Sequence, residues 1–263
     1  MDLQSALEDA KKANSKGMGA VVNFLGEEIE DAALAEASVQ EYLGLQLALA
    51  NDKIDGFPSV KLTQLGLSAG EKEAEDRFER IASSADSLGQ RLWVDMESSK
   101  FTDSTLRVYL ESLERHRNVG VALQAYMRRS ESDLKALLDR GAKVRLVKGA
   151  YREGGEVVFQ TKREVSDNYS RLMGHLFERG DGFAIATHDS NLVEEAKRLA
   201  EAKHVDFRFE MLKGIRNDLK EKLVSSGYKV CEYLPYGDRW YAYSKRRITE
   251  HPSNVWLLLR SLF

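Results

Sequence analysis

Only one cysteine, Cys231, and three prolines occur in 263 residues, and no serine- and glycine-rich tract interrupts them. A lone cysteine cannot close a disulfide within the chain, so a reducing interior is its simpler home and core packing its simpler role. Without a linker there is no visible domain boundary, and a chain of 263 residues suits one barrel-sized unit spanning 1–263. No apolar stretch approaches the roughly 20 residues needed to cross a bilayer, and the N-terminus lacks the basic, apolar, then small-residue order of a signal peptide. The expectation is a soluble cytoplasmic protein, or one held only peripherally at the inner face of a membrane. Charge of one sign is scarce too. A formal net charge of -3 speaks against a nucleic-acid binder that depends on bulk positive charge, leaving only a local basic patch to consider. No H-x-H, H-E-x-x-H or Cys/His cluster is present to ligate a transition metal, so no metal is expected.

What the chain does have is a set of eight short apolar runs separated by stretches of helical spacing. A helix ending at Gly17 precedes the first strand, within GMGAVVNFLGEE. Helical periodicity then runs from Glu28 to about Asn51, followed by strand FPSVKLTQLGL, a helix near 71–88 and strand RLWVDM. The alternation continues through a helix near 103–116, strand VGVALQAY, a helix near 130–140, strand KVRLVKG and a helix to about Arg179. It closes with strand FAIAT, a helix over Leu192–Lys203, strand FRFEML, a helix near 217–226, strand YKVCEYL and an eighth helix carrying YSKRRITEH. Strict alternation predicts an α/β fold with a parallel sheet and outer helices, and eight units favour a closed (β/α)8 TIM-type barrel. An open dinucleotide-binding sheet would need G-x-G-x-x-G between strand and helix. The nearest match, Gly17 and Gly19 followed by Val22, precedes a strand and reads as a turn.

Most of these runs stop at residues able to charge or hydrogen-bond a ligand, and a barrel gathers such carboxyl-terminal strand ends around one mouth. Lys61 and Asp95 end neighbouring strands, where an ion pair across the mouth is expected; that pair is either functional or merely structural. Arg145 and Lys148 stand three apart and so face opposite sides of their strand, unless a twist or bulge at Gly149 turns the chain. Lys148 beside Gly149 suits an anionic cofactor, because a missing side chain lets ring or phosphate atoms approach the backbone; ordinary rim ion pairs are the alternative. Thr187-His188-Asp189 reads as hydrogen bonding to a cofactor. Arg246 and Arg247 with Glu250 three and four residues on can grip a small carboxylate bidentately, or form a solvated basic face.

Taken together, SVKLTQLGL, WVDMESS, LQAY, VRLVKGAY, ATHD and YLPYGDRWYAYSKRRITEHPSN resemble the proline dehydrogenase family of flavoenzymes, in its compact monofunctional form. The resemblance runs from LGE at 25–27 through the C-terminal LLLRSLF. It implies a barrel that holds FAD non-covalently, with the eighth helix over the mouth, and that oxidises L-proline to Δ1-pyrroline-5-carboxylate, passing electrons to a membrane quinone. It further implies that Lys61 and Asp95 form the substrate-side ion pair and that Arg145 lies near the flavin N5, making Asp95 and Arg145 the catalytic residues. Met96, Gln124, Lys148, Gly149, Ala150, Thr187, His188 and Glu210 take the positions of flavin contacts. Tyr151, Leu212 and Tyr233 would enclose the proline ring, Arg246 and Arg247 would bind its carboxylate, and Glu250 would orient them. A pyrroline-5-carboxylate dehydrogenase is an expected partner. Glu210 and Asp189 depart from the Gln and Asn that some relatives carry, and the long helical arm that many members place before the barrel is lacking.

Two other classes compete with this reading. A strand-end lysine, Lys148 or Lys61, can form a Schiff base in an aldolase-type lyase, and the Lys245-Arg246-Arg247 run can serve a non-enzymatic anion or nucleic-acid contact.

Overall fold

The computed structural model describes residues 2–237. Eight strands, β1 (Gly19–Phe24), β2 (Gly56–Val60), β3 (Leu92–Val94), β4 (Val119–Gln124), β5 (Lys143–Val147), β6 (Phe183–Ala186), β7 (Phe207–Leu212) and β8 (Val230–Tyr236), pair in chain order. All pairings are parallel, and β8 returns to β1 with Gly19 opposite Cys231 through Phe24 opposite Tyr236, closing the barrel. Closure leaves no sheet edge, so every strand must be covered outside and filled inside.

The outer layer consists of α1 (Leu3–Asn14), α2 (Ala32–Asn51), α3 (Glu71–Ser87), α4 (Thr102–Arg115), α5 (Ser130–Asp139), α6 (Lys162–Arg179), α7 (Ser190–Ala202) and α8 (Asn217–Ser225). Their starts follow capping chemistry. Asp2 caps α1 by accepting from the Ser5 N–H, and Thr161 with Glu164 forms a reciprocal capping box on α6. The buried stripe of α3, Ala74, Phe78, Ile81, Ala82 and Ala85, has the three- and four-residue spacing of one helix face. Helix α1 precedes the first strand and packs against β1 and β8. Between α6 and the barrel, Phe177 meets Phe183 and Phe207 edge-on at centroid distances of 5.0 Å, contacts worth about 0.5–1.5 kcal/mol each beyond burial.

The barrel interior is a separate, smaller cluster of Val21, Phe57, Trp93, Ala184 and Cys231, with Tyr233 against it. Cys231 is indeed core, and burial pushes its thiol up to about 12. Gly120 in β4 makes room for Trp93, since a Cβ there would run into the indole ring. Among the described residues no helix is long and apolar enough to cross a membrane.

Two boundaries differ from the sequence expectation. The α2 helix starts at Ala32 and not near Glu28, because Glu28 sits at φ 49, outside helical space, while Asp31 accepts from the Leu34 N–H as the cap. Strand β2 ends at Val60, and Leu62–Leu65 turn as a 3-10 helix stopped by Gly66 at φ 94. Leu62 and Leu65 are spaced by three, which puts them on one side of a 3-10 turn but on opposite faces of a strand. The eighth helix expected over the mouth, with Arg246, Arg247 and Glu250, lies outside the described residues.

Candidate active site

The period of two along a strand decides which side chains enter the barrel. It turns Phe57, Ser59 and Lys61 inward from β2 and just beyond it, and does the same for Trp93 and Asp95 at β3. From the opposite wall, Glu210 and Tyr233 enter from β7 and β8.

Arg145 from β5 is the hub. Its Nε donates to Glu210 Oε2 at 2.6 Å, and its Nη1 donates to Asp95 Oδ1 at 2.6 Å and to the Ser59 hydroxyl at 3.0 Å. The guanidinium also lies over the Trp93 and Tyr233 rings, 5.0 and 5.5 Å from their centroids. Burial alone would lower its pKa, but Glu210 and then Asp95 outweigh it and hold Arg145 above its ordinary value. Asp95 accepts in addition from Ser59 at 2.9 Å and from the Tyr233 hydroxyl at 2.7 Å. Glu210 accepts from Trp93 Nε1 at 2.9 Å. Three neighbours thus fix Asp95, and Glu210 spends one oxygen on Trp93 and the other on Arg145. Glu210, expected among the cofactor contacts, thus also fixes Arg145 and Trp93 inside the barrel.

The expected ion pair between Lys61 and Asp95 does not form. Lys61 pairs with Glu27, in the loop after β1, while Asp95 pairs with Arg145. The physical reason is supply: β5 delivers a buried guanidinium directly to Asp95, and the β1 loop brings a carboxylate to Lys61. Glu27 also accepts from the Tyr151 hydroxyl at 3.2 Å, joining two residues assigned to the substrate side.

Toward the other side of the mouth, Lys148 donates to Asp189 at 2.8 Å and to Ser166 at 3.3 Å. Burial would raise Asp189, yet the bond and charge of Lys148 hold it below the usual carboxylate range. Gly149 at φ 108 passes so close to Tyr126 that a Cβ would strike the ring. Its missing side chain is therefore required by Tyr126 itself, with Ala150 following. His188 Nε2 accepts from the Leu212 N–H at 2.9 Å, which leaves Nδ1 to carry the ring proton. The Thr187 hydroxyl accepts from the Asp189 N–H at 3.2 Å, and Gln124 donates to the Glu97 carbonyl at 2.8 Å. Met96 is buried. Lys148 and Arg145 fall as their spacing requires, one at the half-exposed rim and the other buried.

Sequence reasoning missed Ser59, Trp93, Glu27, Thr63 and Glu97. Ser59 and Trp93 were legible, each two residues before a residue that was singled out and so on the same strand face. Glu97 accepts from the Thr63 hydroxyl at 2.5 Å, and burial pushes its carboxyl up to about 7 against the opposing pull of Lys61.

Comparison with known proteins supplies the family. The family model described as proline dehydrogenase matches residues 6–256. Proline dehydrogenase 2 of Bacillus subtilis strain 168 is 32% identical over 257 residues, covering 97% of this chain and 85% of that protein. A proline dehydrogenase of Deinococcus radiodurans is 32% identical over 268 residues, covering 99% and 86%. Among solved structures, proline utilization A from Bdellovibrio bacteriovorus, inactivated by N-propargylglycine, superposes with a TM-score of 0.88 at 27% identity. That match covers 96% of this chain and 32% of the longer protein. The chain belongs to the proline dehydrogenase family.

Proposed function

We propose that the protein oxidises L-proline to Δ1-pyrroline-5-carboxylate at the barrel mouth, the first step of proline catabolism, with FAD held non-covalently and a membrane quinone as the final electron acceptor. The observation that carries this reading is Arg145. Its Nη2 is buried with no hydrogen-bond partner among the described residues, while Nε and Nη1 are fixed by carboxylates. A spare, pre-oriented cationic donor at the strand ends fits a group that gains negative charge during reaction, as a flavin ring does.

Met96, Gln124, Lys148, Gly149, Ala150, Thr187, His188 and Glu210 are the residues that would hold the cofactor, Glu210 also fixing Arg145. Bound FAD would supply a two-electron acceptor for the hydride that leaves the ring carbon beside the proline nitrogen. For that carbon to release a hydride, the amine must first lose its proton so that its lone pair can form the C=N bond. This chain's contribution is placement. Tyr151, Leu212 and Tyr233 enclose the ring, and Asp95 fixes the Tyr233 hydroxyl at 2.7 Å. Lys61, paired with Glu27, keeps a charged pair at the same wall. Arg246, Arg247 and the orienting Glu250 are assigned to the substrate carboxylate on sequence resemblance. Arg145 supplies positive potential where negative charge accumulates, without reorganisation. A quinone acceptor implies peripheral contact with a membrane, and the unstable product suits a pyrroline-5-carboxylate dehydrogenase as partner.

Both lysines open to Schiff-base chemistry are ion-paired, Lys61 with Glu27 and Lys148 with Asp189. Each Nζ is thereby engaged by a carboxylate, and the lyase reading has no observation in its favour. The test is incubation with L-proline and a soluble quinone, followed by mass spectrometry, with pyrrolidine as the control lacking a carboxylate. The expected product is proline less two hydrogens. No product with proline, or borohydride trapping of a carbonyl compound on Lys61 or Lys148, overturns the proposal.

A further inference from the structure

Glu97 lies just beyond β3, almost wholly buried, and no step of the proposed chemistry uses its side chain. Its carboxyl accepts from the Thr63 hydroxyl at 2.5 Å and from the Thr63 N–H at 3.2 Å. Thr63, in the turn after β2, extends this hold to the loop after β1. Its hydroxyl accepts from the Glu28 N–H at 3.0 Å, and its carbonyl accepts from the Ile29 N–H at 2.9 Å. Glu28 sits at φ 49, a left-handed conformation that a non-glycine residue keeps only when its surroundings fix it. The residue before it is Glu27, which receives Lys61 and the Tyr151 hydroxyl. A continuous set of hydrogen bonds therefore joins Glu97 to two side chains on the substrate wall.

We propose that ionised Glu97 is a positioning residue: through Thr63 it anchors the loop after β1 and so holds Glu27 against Lys61 and Tyr151. The inference rests on reading this mouth as a proline site. An ionised carboxylate accepts at both oxygens, whereas a protonated one turns an oxygen into a donor and competes with the Thr63 N–H and hydroxyl. The anchor therefore depends on the proton.

The groups around Glu97 decide when that proton leaves. Burial is the largest influence and raises the carboxyl to about 7; Lys61, at the end of β2, and the two Thr63 bonds pull it down, while Glu27 in the β1 loop pushes it up. From α2 comes the buried Tyr42 phenol, itself raised by burial and then by the charges of Asp95 and Glu97. Gln124 of β4 meets Glu97 at its backbone carbonyl and not at its carboxyl. The two Thr63 bonds favour the ionised form, so releasing the loop while Glu97 stays buried would raise its carboxyl further, and the anchor is therefore strengthened as pH rises through about 7.

Two readouts on the purified flavin-loaded protein test this. The first is amide hydrogen exchange of Glu28 and Ile29, expressed as protection factors so that the intrinsic pH dependence drops out. In the parent, protection should rise about tenfold from about pH 6 to about pH 8. In Glu97→Gln, which mimics the protonated carboxyl, it should be low and flat. The second is the pH profile of kcat/KM for proline: the parent should show an acid limb centred near 7, and Glu97→Gln should lack it while falling about tenfold at high pH. Thr63→Val, which leaves the carboxyl in place but removes the link, should lose the same protection, and Thr63→Ser should restore it. Should Glu97→Gln not fold, the two Thr63 variants decide by the same measurements. Parental protection and an unchanged acid limb in Glu97→Gln, or parental behaviour in Thr63→Val, overturns the proposal. If the parent itself leaves proline unoxidised, the functional reading fails, and hydrogen exchange still judges the anchor.

Discussion

Arg145 and Glu210 form an ion pair of 2.6 Å inside the barrel, both side chains almost wholly removed from water. Taking two such charges out of water is costly, and the pair persists because Trp93, Asp95 and Ser59 satisfy much of what remains. The arrangement holds one guanidinium rigid beneath the mouth, its Nη2 without a hydrogen-bond partner among the described residues.

Breaking this pair from one side should be worse than removing it whole. Arg145→Met leaves Glu210 and Asp95 facing each other without their cation and should cost about 3–5 kcal/mol in denaturant unfolding. The double variant Arg145→Met/Glu210→Met should lose less than the two single losses combined, because no uncompensated charge remains at that pair. Additive losses would mean that the two charges do not act as a unit.

The exchange of partners at Lys61 gives a sharper contrast. Since Lys61 pairs with Glu27 and Asp95 with Arg145, the cycle Lys61→Met with Glu27→Gln should show a coupling of roughly 0.5–3 kcal/mol. The cycle of Lys61→Met with Asp95→Asn should show much less. Unfolding midpoints of the parent and the five variants read both couplings, and a larger value for Lys61 with Asp95 would restore the pairing expected from sequence.

Much of this site is legible in the sequence, because strand ends in a barrel converge whatever the intervening sequence. Asp95, Arg145 and Tyr233, which are 50 and 138 residues from Asp95, meet as their positions at strand ends imply. Partners were not legible. Lys61 and Asp95 are adjacent in barrel order, but adjacency cannot say that the loop after β1 delivers Glu27 first. Nor does Glu210 announce in sequence that its two oxygens go to Trp93 and Arg145, since that depends on barrel stagger and on Gly120 making room for the indole. The start of α2 was misplaced because Glu28 lies within a helical pattern that only its left-handed backbone interrupts.

Glu97 should leave a signature in stability as well as in the loop. Its folded carboxyl titrates at about 7, against an ordinary value of 4.5, so the folded state binds this proton more tightly than the unfolded chain. Its contribution is fully present below 4.5, is lost as pH rises from 4.5 to about 7, and is constant above that. The amount at stake is on the order of 3 kcal/mol. Glu97→Gln cannot titrate, so its stability relative to the parent should climb across that window, and chemical unfolding at several pH values checks the slope. A difference independent of pH would show that Glu97 keeps an ordinary pKa when folded.

The central claim is that this barrel mouth transfers two electrons from proline to a bound flavin beside Arg145. The most direct measurement is the visible spectrum of the purified protein, without oxygen or another acceptor, before and after adding L-proline. The account predicts a yellow protein whose flavin is released by acid, whose colour bleaches with proline, and which recovers when a quinone is added. Arg145→Met should keep the flavin and bleach at least about a hundredfold more slowly. A colourless protein that takes up no FAD, or a flavin whose spectrum proline leaves unchanged, would contradict it.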